Sequence, residues 1–278
     1  MHAPATAVRV GSITIGGGAP LALIAGPCVI ESRDAALRHA DALATLAEKT
    51  GVGLVYKSSF DKANRTSIGG FRGVGMDEGL RILDDVRRAT ALPVLTDVHE
   101  ASQIRAVAAV VDVLQTPAFL CRQTDFVVAV AAAGRPVNLK KGQFLSPAEM
   151  GRVVEKARST GNTQLLVTER GFAFGYNDLV SDLRSLAVLA ETGCPVVYDA
   201  THSVQQPGGQ GTQSGGDRRF VAPLARAAVA AGCDAVFMEV HEDPTRALSD
   251  GATSVPLADV PALWAQLVAI DRVRRERA

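Results

Sequence analysis

PVVYDATH, residues 195–202, is an apolar run closed by Asp199 and His202, and it reads as a buried strand ending in polar chemistry. The same arrangement recurs along the chain. Lys57 closes GVGLVYK (51–57), Asp97 closes PVLTD (93–97), and Lys140 and Lys141 close PVNLKK (136–141). Arg170 closes QLLVTER (164–170), and Glu239 and His241 close AVFMEVH (235–241). Burying an ionised group is costly unless something pairs with it. A chain that repeats this pattern therefore gathers its charged groups into one shared polar site, and the cations among them suit an anionic ligand.

Around these ends the chain alternates strand-like and helix-like segments. Strands are expected near 21–26, 52–57, 93–97, 110–115, 136–140, 164–169, 195–199 and 235–240. Ala/Leu-rich helical patterns fall near 34–49, 77–90, 100–108, 123–133, 147–159, 179–191, 218–231 and 257–274. Successive βα units whose strands are apolar on both faces predict an α/β fold, a closed (β/α)8 TIM barrel. The weak alternation of Val8, Val10, Ile13 and Ile15 around Gly11 and Gly16 to Gly18 predicts a hairpin over 8–18, capping a single domain that spans 1–278. A doubly wound open sheet is the rival, but it wants a Gly-rich turn after its first strand. Here GGG at 16–18 precedes that strand.

Composition narrows the function classes. The 278 residues are 47% hydrophobic and 21% charged, with 29 basic and 29 acidic side chains. Zero formal net charge gives no global field for nucleic acid or an anionic membrane, so any anion site is local. No run approaches the roughly 20 apolar residues of a membrane span, and no signal peptide is read, which makes the cytoplasm the expected location. The four cysteines, Cys28, Cys121, Cys194 and Cys233, form no CxxC pair, so disulfides are not expected.

In such a barrel the catalytic groups come from strand C-termini and the loops that follow. Alternation of side chains puts Lys57 on one face with Val55 and Ser59, and Lys140 with Asn138. Arg170 goes with Thr168, His202 with Tyr198, and Glu239 with Phe237 and His241. If those faces point inward, one lumen collects Lys57, Asp97, Lys140, Arg170, His202 and Glu239, while Lys141 points outward. YKSSFDKANRTS (56–67) adds Lys62, Arg65 and several hydroxyl and amide side chains on an irregular loop, the donors that phosphate oxygens need. A solvated surface loop is the bland alternative. Asp97 and His99 in LTDVHE suit a general base or a sugar-hydroxyl acceptor, although Asp97 equally suits a helix N-cap. Cys28, His202, Glu239 and Asp250 offer one thiolate, one imidazole and two carboxylates, a donor set for a borderline divalent ion. A buried structural cysteine is the competing reading.

Eight segments then carry a family resemblance: IAGPCVIES (24–32), FDKANRTSIGGFRG (60–73), LTDVHE (95–100), QTPAFLCRQTD (115–125), NLKKGQFLSP (138–147), TERGFAFGYNDL (168–179), DATHSVQQPGG (199–209), and FMEVHEDP with ALSDG (237–251). In this order they resemble the 3-deoxy-D-manno-octulosonate 8-phosphate synthase family over about residues 8–268. The resemblance implies a hairpin-capped (β/α)8 barrel, usually a homotetramer. It also implies condensation of phosphoenolpyruvate with D-arabinose 5-phosphate and water, on the route to lipopolysaccharide. It assigns phosphoenolpyruvate to Lys57, Ser59, Lys62, Lys140, Gln143 and Arg170, and the pentose phosphate to Asn64, Arg65 and Thr66. Arg122 resembles the arginine that reaches a neighbouring subunit's site. Lys62, Asp97, Lys140 and His202 take the catalytic roles. Cysteine at 28, with His202, Glu239 and Asp250, implies the metal-dependent branch and a divalent ion such as Zn, Fe or Mn. The sister enzyme that uses erythrose 4-phosphate carries Pro-Arg-Thr or Ala-Arg-Thr where this chain has Ala63-Asn64-Arg65-Thr66. A Schiff-base aldolase using Lys57 or Lys140, and a non-catalytic sugar-phosphate barrel, are the remaining rivals.

Overall fold

The structure is a computed structural model that describes residues 6–209, 211 and 214–276. The chain ends of the expected 1–278 domain, and residues 210, 212 and 213 of the Gly/Gln-rich loop, lie outside that set. A short antiparallel hairpin, β1 (Val8–Val10) and β2 (Ile13–Ile15), comes first, paired Val8 to Ile15 and Val10 to Ile13. The barrel strands follow: β3 (Ala22–Gly26), β4 (Leu54–Lys57), β5 (Val94–Asp97), β6 (Val113–Thr116), β7 (Val137–Lys140) and β8 (Leu165–Glu169). After an excursion, β9 (Phe172–Gly175) and β10 (Asp178–Val180), the barrel resumes with β11 (Val196–Asp199). Two short strands, β12 (Gln205–Gln206) and β13 (Gly215–Gly216), precede the last barrel strand, β14 (Ala235–His241). Each barrel strand pairs in parallel with its neighbour, and β14 closes on β3 through five residue pairs from Ala235–Ala22 to Glu239–Gly26.

Helices α1 (Arg33–Thr50), α2 (Met76–Thr90), α3 (Ile104–Val110), α4 (Thr124–Ala131), α5 (Met150–Arg158), α6 (Arg184–Ala190), α7 (Val221–Ala231) and α8 (Val260–Arg275) form the outer layer. Local chemistry sets their limits. Ser32 caps α1 by accepting from the Ala35 amide at 3.2 Å, and Gly51, at φ 68°, ends it in the left-handed conformation that glycine adopts without steric cost.

The strands divide two cores. Leu23, Tyr56, Leu114 and Tyr198 face the helices. Ile24, Val55, Leu95, Val113, Leu166, Val197 and Phe237 fill the lumen, together with Val8, Val10 and Ile15 of the hairpin. The hairpin therefore plugs the N-terminal end with apolar side chains. Above that floor the lumen turns polar, which confines the chemistry to the C-terminal mouth.

Three expectations need correction. The first is that Tyr198 shares a face with His202; Tyr198 instead faces outward, its hydroxyl meeting Ser181 and Ser203 at 3.0 Å. Strand β11 ends at Asp199, which is the inward residue, and His202 arises on a short 3-10 turn beyond it. The second is that His241 joins Glu239; it lies instead against His39 of α1, ring centroids 5.0 Å apart. The third is a helix beginning near 179. That stretch is part of the β9–β10 hairpin, turned by Tyr176 and Asn177 at φ 48° and 73°, and the helix starts at Arg184.

The plug is testable. Ile15→Ala removes a fully buried side chain from the lumen floor, and chemical denaturation should show a loss of about 2–5 kcal/mol. A loss under about 0.5 kcal/mol, the range of neutral surface changes, is incompatible with a hairpin that seals the barrel.

Candidate active site

The mouth is a single network of buried charge. Lys57 on β4 donates to the Cys28 carbonyl and to Glu239 Oε1, both at 3.1 Å, and lies 3.9 Å from Asp97 Oδ2. Lys140 on β7 sits 2.6 Å from Asp199 Oδ2 and 4.1 Å from the centroid of the Phe237 ring. The same Asp199 oxygen meets His202 Nδ1 at 2.8 Å, while Oδ1 accepts from the His202 amide at 2.9 Å. This pins the imidazole with Nε2 facing Glu239 Oε1 at 3.5 Å and Asp250 Oδ2 at 3.8 Å. Cys28 Sγ lies 3.1 Å from that Asp250 oxygen. Beneath, a polar ladder crosses the barrel. Thr168 donates to Asn138 (2.6 Å), Asn138 to Gln115 (2.7 Å), and Gln115 and Ser59 both donate to Asp97.

Electrostatics follow from that packing. Burial opposes the charge of Asp97, but the fields of Lys57, Lys62, His99 and Lys140 overcome it and hold the carboxyl well below its usual range. Asp199 behaves likewise: burial opposes its charge, and His202 and Lys140 hold it far down. Asp250 is depressed to about 2, because Lys62 and His202 outweigh its burial. Burial, followed by the nearby Asp250 and Glu239, pushes the Cys28 thiol well up. Burial also lowers the Lys140 ammonium and the Arg170 guanidinium. Lys62 is raised instead, since the fields of Cys28, Glu239, Asp250 and Asp97 outweigh desolvation.

Some groups are left waiting. Arg170 Nη1, Gln143 Oε1 and Glu239 Oε2 are buried without a hydrogen-bond partner among the described residues, and Lys62 has no ion pair there. Buried polar atoms are paired in nearly all native proteins, so orphans lining a cavity mark where a polar ligand belongs. The cavity measures about 710 Å³. Its deep wall holds Lys57, Lys62, Lys140, Gln143 and Arg170, and its rim holds Asn64, Arg65 and Thr66. Arg65 is tied by Nε to the Phe71 carbonyl at 2.7 Å, and among the described residues no carboxylate pairs with it.

The sequence-selected residues sort clearly. Asp97, His202 and Asp250 line the cavity with those cations. Ser59, Cys28 and Glu239 stand one hydrogen bond behind the lining. Arg122 lies outside it, exposed and 3.7 Å from Glu149 Oε1. Lys141 does point away from the lumen, but it is buried, with Glu169 at 3.3 Å and the Leu145 and Gly171 carbonyls at 3.2 and 3.3 Å. Gln115, Gln205 and Ser249 went unselected, and Asp199, named as a strand-end charge, was given no role in the lumen. Asp199's inward placement was findable, because Val197 and Asp199 share a strand face; Gln205, on the two-residue strand β12, and Ser249, on a loop, carry no periodic signal.

Comparison with known proteins agrees with this geometry. The model of the DAHP synthetase I family matches residues 4–272. A protein of Magnetococcus marinus named 2-dehydro-3-deoxyphosphooctonate aldolase is 61% identical over 269 residues, covering 97% of this chain and 94% of that one. Proteins of the same name from Trichlorobacter lovleyi (59% over 268 residues, 96% and 98% covered) and Thioalkalivibrio sulfidiphilus (62% over 254 residues, 91% and 91% covered) are similar to it as well.

The adjacent lysines give a sharp contrast. Lys140→Met should leave a folded protein that has lost calorimetric binding of anionic ligands. Lys141→Met should retain that binding but lose about 3–5 kcal/mol of stability, because Glu169 is left buried and unpaired. Equal behaviour of the two variants would contradict the opposite orientations described.

Proposed function

The chain belongs to the DAHP synthetase I family, and we infer that it carries out the 2-dehydro-3-deoxyphosphooctonate aldolase reaction, condensing phosphoenolpyruvate with D-arabinose 5-phosphate and water. The observation that carries this reading is one cavity with two groups of cationic and donor side chains. The deep group (Lys57, Lys62, Lys140, Arg170) suits the phosphate and carboxylate of phosphoenolpyruvate. The rim group (Asn64, Arg65, Thr66) suits the phosphate of an extended pentose. The relatives' names favour this activity over the erythrose 4-phosphate alternative, as does Asn64 beside Arg65.

In the reaction, carbon 3 of phosphoenolpyruvate attacks the aldehyde carbon and the aldehyde oxygen takes up a proton. Water adds to carbon 2, and the C–O bond to phosphate then breaks, leaving the ketone. One proton of the water ends on the new hydroxyl and the other departs with phosphate. Lys140 and Arg170 hold the enol phosphate with its charges countered, and orientation of two reactants in one closed pocket lowers the barrier by itself. Lys62, kept protonated, stands where negative charge develops on the aldehyde oxygen. Asp97, kept ionised, accepts from a sugar hydroxyl and fixes the aldehyde's approach. Asp199 holds His202 in one orientation through Nδ1. A Schiff-base route through Lys140 would form an imine, which borohydride traps in the presence of substrate.

We also propose a divalent metal held by Cys28, His202, Glu239 and Asp250. Ligand atoms of Cys28, Glu239 and Asp250 lie within 4.8 Å of one another, His202 Nε2 faces both carboxylates, and Glu239 Oε2 is an orphan acceptor. The donor set therefore fits an ion of the Zn, Fe or Mn class. Bound there, it would supply Lewis acidity toward water or the aldehyde oxygen. Among the described residues no helix is long and apolar enough to cross a membrane. We place the enzyme in the cytoplasm as a homotetramer, with exposed Arg122 serving a neighbouring site rather than its own.

Phosphate release with phosphoenolpyruvate should be faster with arabinose 5-phosphate than with erythrose 4-phosphate, and the reverse order would reject the reading. Arg65→Ala should raise KM for the pentose phosphate roughly ten- to a hundredfold, the worth of a lost charge-assisted contact, with a smaller change for phosphoenolpyruvate. For the metal, chelation of the wild type should abolish turnover, and Cys28→Ala should purify without stoichiometric metal by elemental analysis. Full activity after chelation removes the metal from the account.

A further inference from the structure

Two neutral side chains outside the assigned set link the substrate cations to the proposed metal ligands. Ser249 Oγ accepts from Arg65 Nη1 at 2.9 Å and meets Cys28 Sγ at 2.9 Å. Gln205 Oε1 accepts from Arg170 Nη2 at 3.0 Å, while its Nε2 donates to Asp250 Oδ1 at 2.7 Å. Both are buried. One chain of contacts thus runs from the rim cation to the thiol, and a second from the deep cation to the acid beside it. We propose that Ser249 and Gln205 are positioning residues that couple the two substrate sites separately to the metal-binding group, Ser249 for the pentose phosphate and Gln205 for phosphoenolpyruvate. The proposal rests on the metal reading above.

The hydrogen-bond inventory gives the direction. A guanidinium has five N–H donors, and Arg65 uses three, to Phe71 O, Ser249 Oγ and Leu248 O. Two remain for a phosphate, so Ser249 prepares Arg65 without competing for it. The Ser249 hydroxyl has two settings: it accepts a hydrogen bond from the Cys28 thiol or donates one to the sulfur. With Cys28 as a thiolate ligand, its proton lost to solvent, Ser249 Oγ would be in the donating setting toward Sγ and its lone pairs would be left to Arg65. Gln205 has one setting only, because Arg170 can only donate and ionised Asp250 can only accept. An ion that fixes Asp250 therefore fixes Gln205 and the Arg170 guanidinium, whose Nη1 is the orphan donor. The 248–250 segment is further held by the Leu248 amide donating to Glu31 Oε1 at 2.7 Å. Each coupling is reciprocal, so substrate must tighten metal by the factor that metal tightens substrate.

The test is a Co(II) titration of metal-free enzyme, followed by the thiolate-to-cobalt charge-transfer band, with no ligand, with phosphoenolpyruvate alone, and with arabinose 5-phosphate alone. In the wild type each ligand should tighten Co(II) about fivefold or more, the lower end of typical coupling. Ser249→Ala should lose the arabinose 5-phosphate effect and keep the phosphoenolpyruvate effect. Gln205→Ala should do the reverse, and Ser249→Thr, which keeps the hydroxyl, should retain both. Couplings that survive in both alanine variants, or that vanish together in either one, overturn the relay, as does a wild type that binds Co(II) with no ligand effect. A wild type without the charge-transfer band defeats the metal reading itself, and this proposal with it.

Discussion

The contact on which the rest depends is the one between Lys57 and Glu239, 3.1 Å apart and buried, with the Lys57 ammonium also held by the Cys28 carbonyl. Its three anchors belong to β4, β14 and the end of β3, the strands that meet where the barrel closes. Ionised groups at that depth require charge partners. The closure seam supplies them, and in doing so places a thiol, an acid and an ammonium within one cluster. Strand pairing makes this geometry possible because Gly26 lies opposite the β4 end. A side-chain carbon there would stand 1.9 Å from the Lys57 carbonyl oxygen. The close backbone approach of β3 to β4, beside the β14–β3 closure, and the charge cluster that makes the site thus share one place.

From that seam the charges alternate around the mouth. Glu239 faces Lys57, Lys57 faces Asp97, and across the lumen Asp199 faces both Lys140 and His202. Phe237 underlies the arrangement, with Lys57 and Lys140 at 5.6 and 4.1 Å from its ring centroid. An aromatic face is a surface that can sit under two ammonium groups without neutralising them. Lys57 and Lys140 therefore stay buried with a carboxylate on one side and an aromatic face on the other, a low-dielectric setting in which their fields reach a ligand more strongly than those of surface lysines.

Much of this was legible in the sequence because a parallel barrel writes a simple pattern. Its strands are apolar on both faces, and their polar residues are expelled to one end. All eight barrel strands fell where that pattern put them, and alternation placed Lys57, Lys140, Arg170 and Glu239 on the inner face. Alternation fails where the strand stops. His202 lies on a turn beyond β11, so counting from Tyr198 chose the outward face, and Asp199 was passed over. His241 is still on β14, yet it is the last residue of the strand and turns to α1. The β9–β10 hairpin escaped notice because Leu179 and Val180 were read as the start of the following helix, whereas Tyr176 and Asn177 supply the turn. Ser249 and Gln205 lay inside segments that carry the family resemblance but received no role there, since neutral side chains acquire one only from what the fold brings beside them.

The site is built incomplete, and this is where structure becomes function. Among the described residues, a buried guanidinium with an orphan N–H and a buried carboxylate oxygen without a donor are each unfavourable in the free protein. Both lie at or just behind the wall of one cavity, beside the polar ladder from Thr168 to Asp97 and the Asp199 contacts. Ligands that bring two phosphates and a carboxylate would relieve the guanidinium, a bound cation would relieve the acid, and binding to the folded state alone then adds stability that grows with the logarithm of ligand concentration. The same fixed, uncompensated charges that burden the free protein are the ones that need no reorganisation when charge develops in the reaction. A fully neutralised mouth would make a more stable barrel and a poorer catalyst.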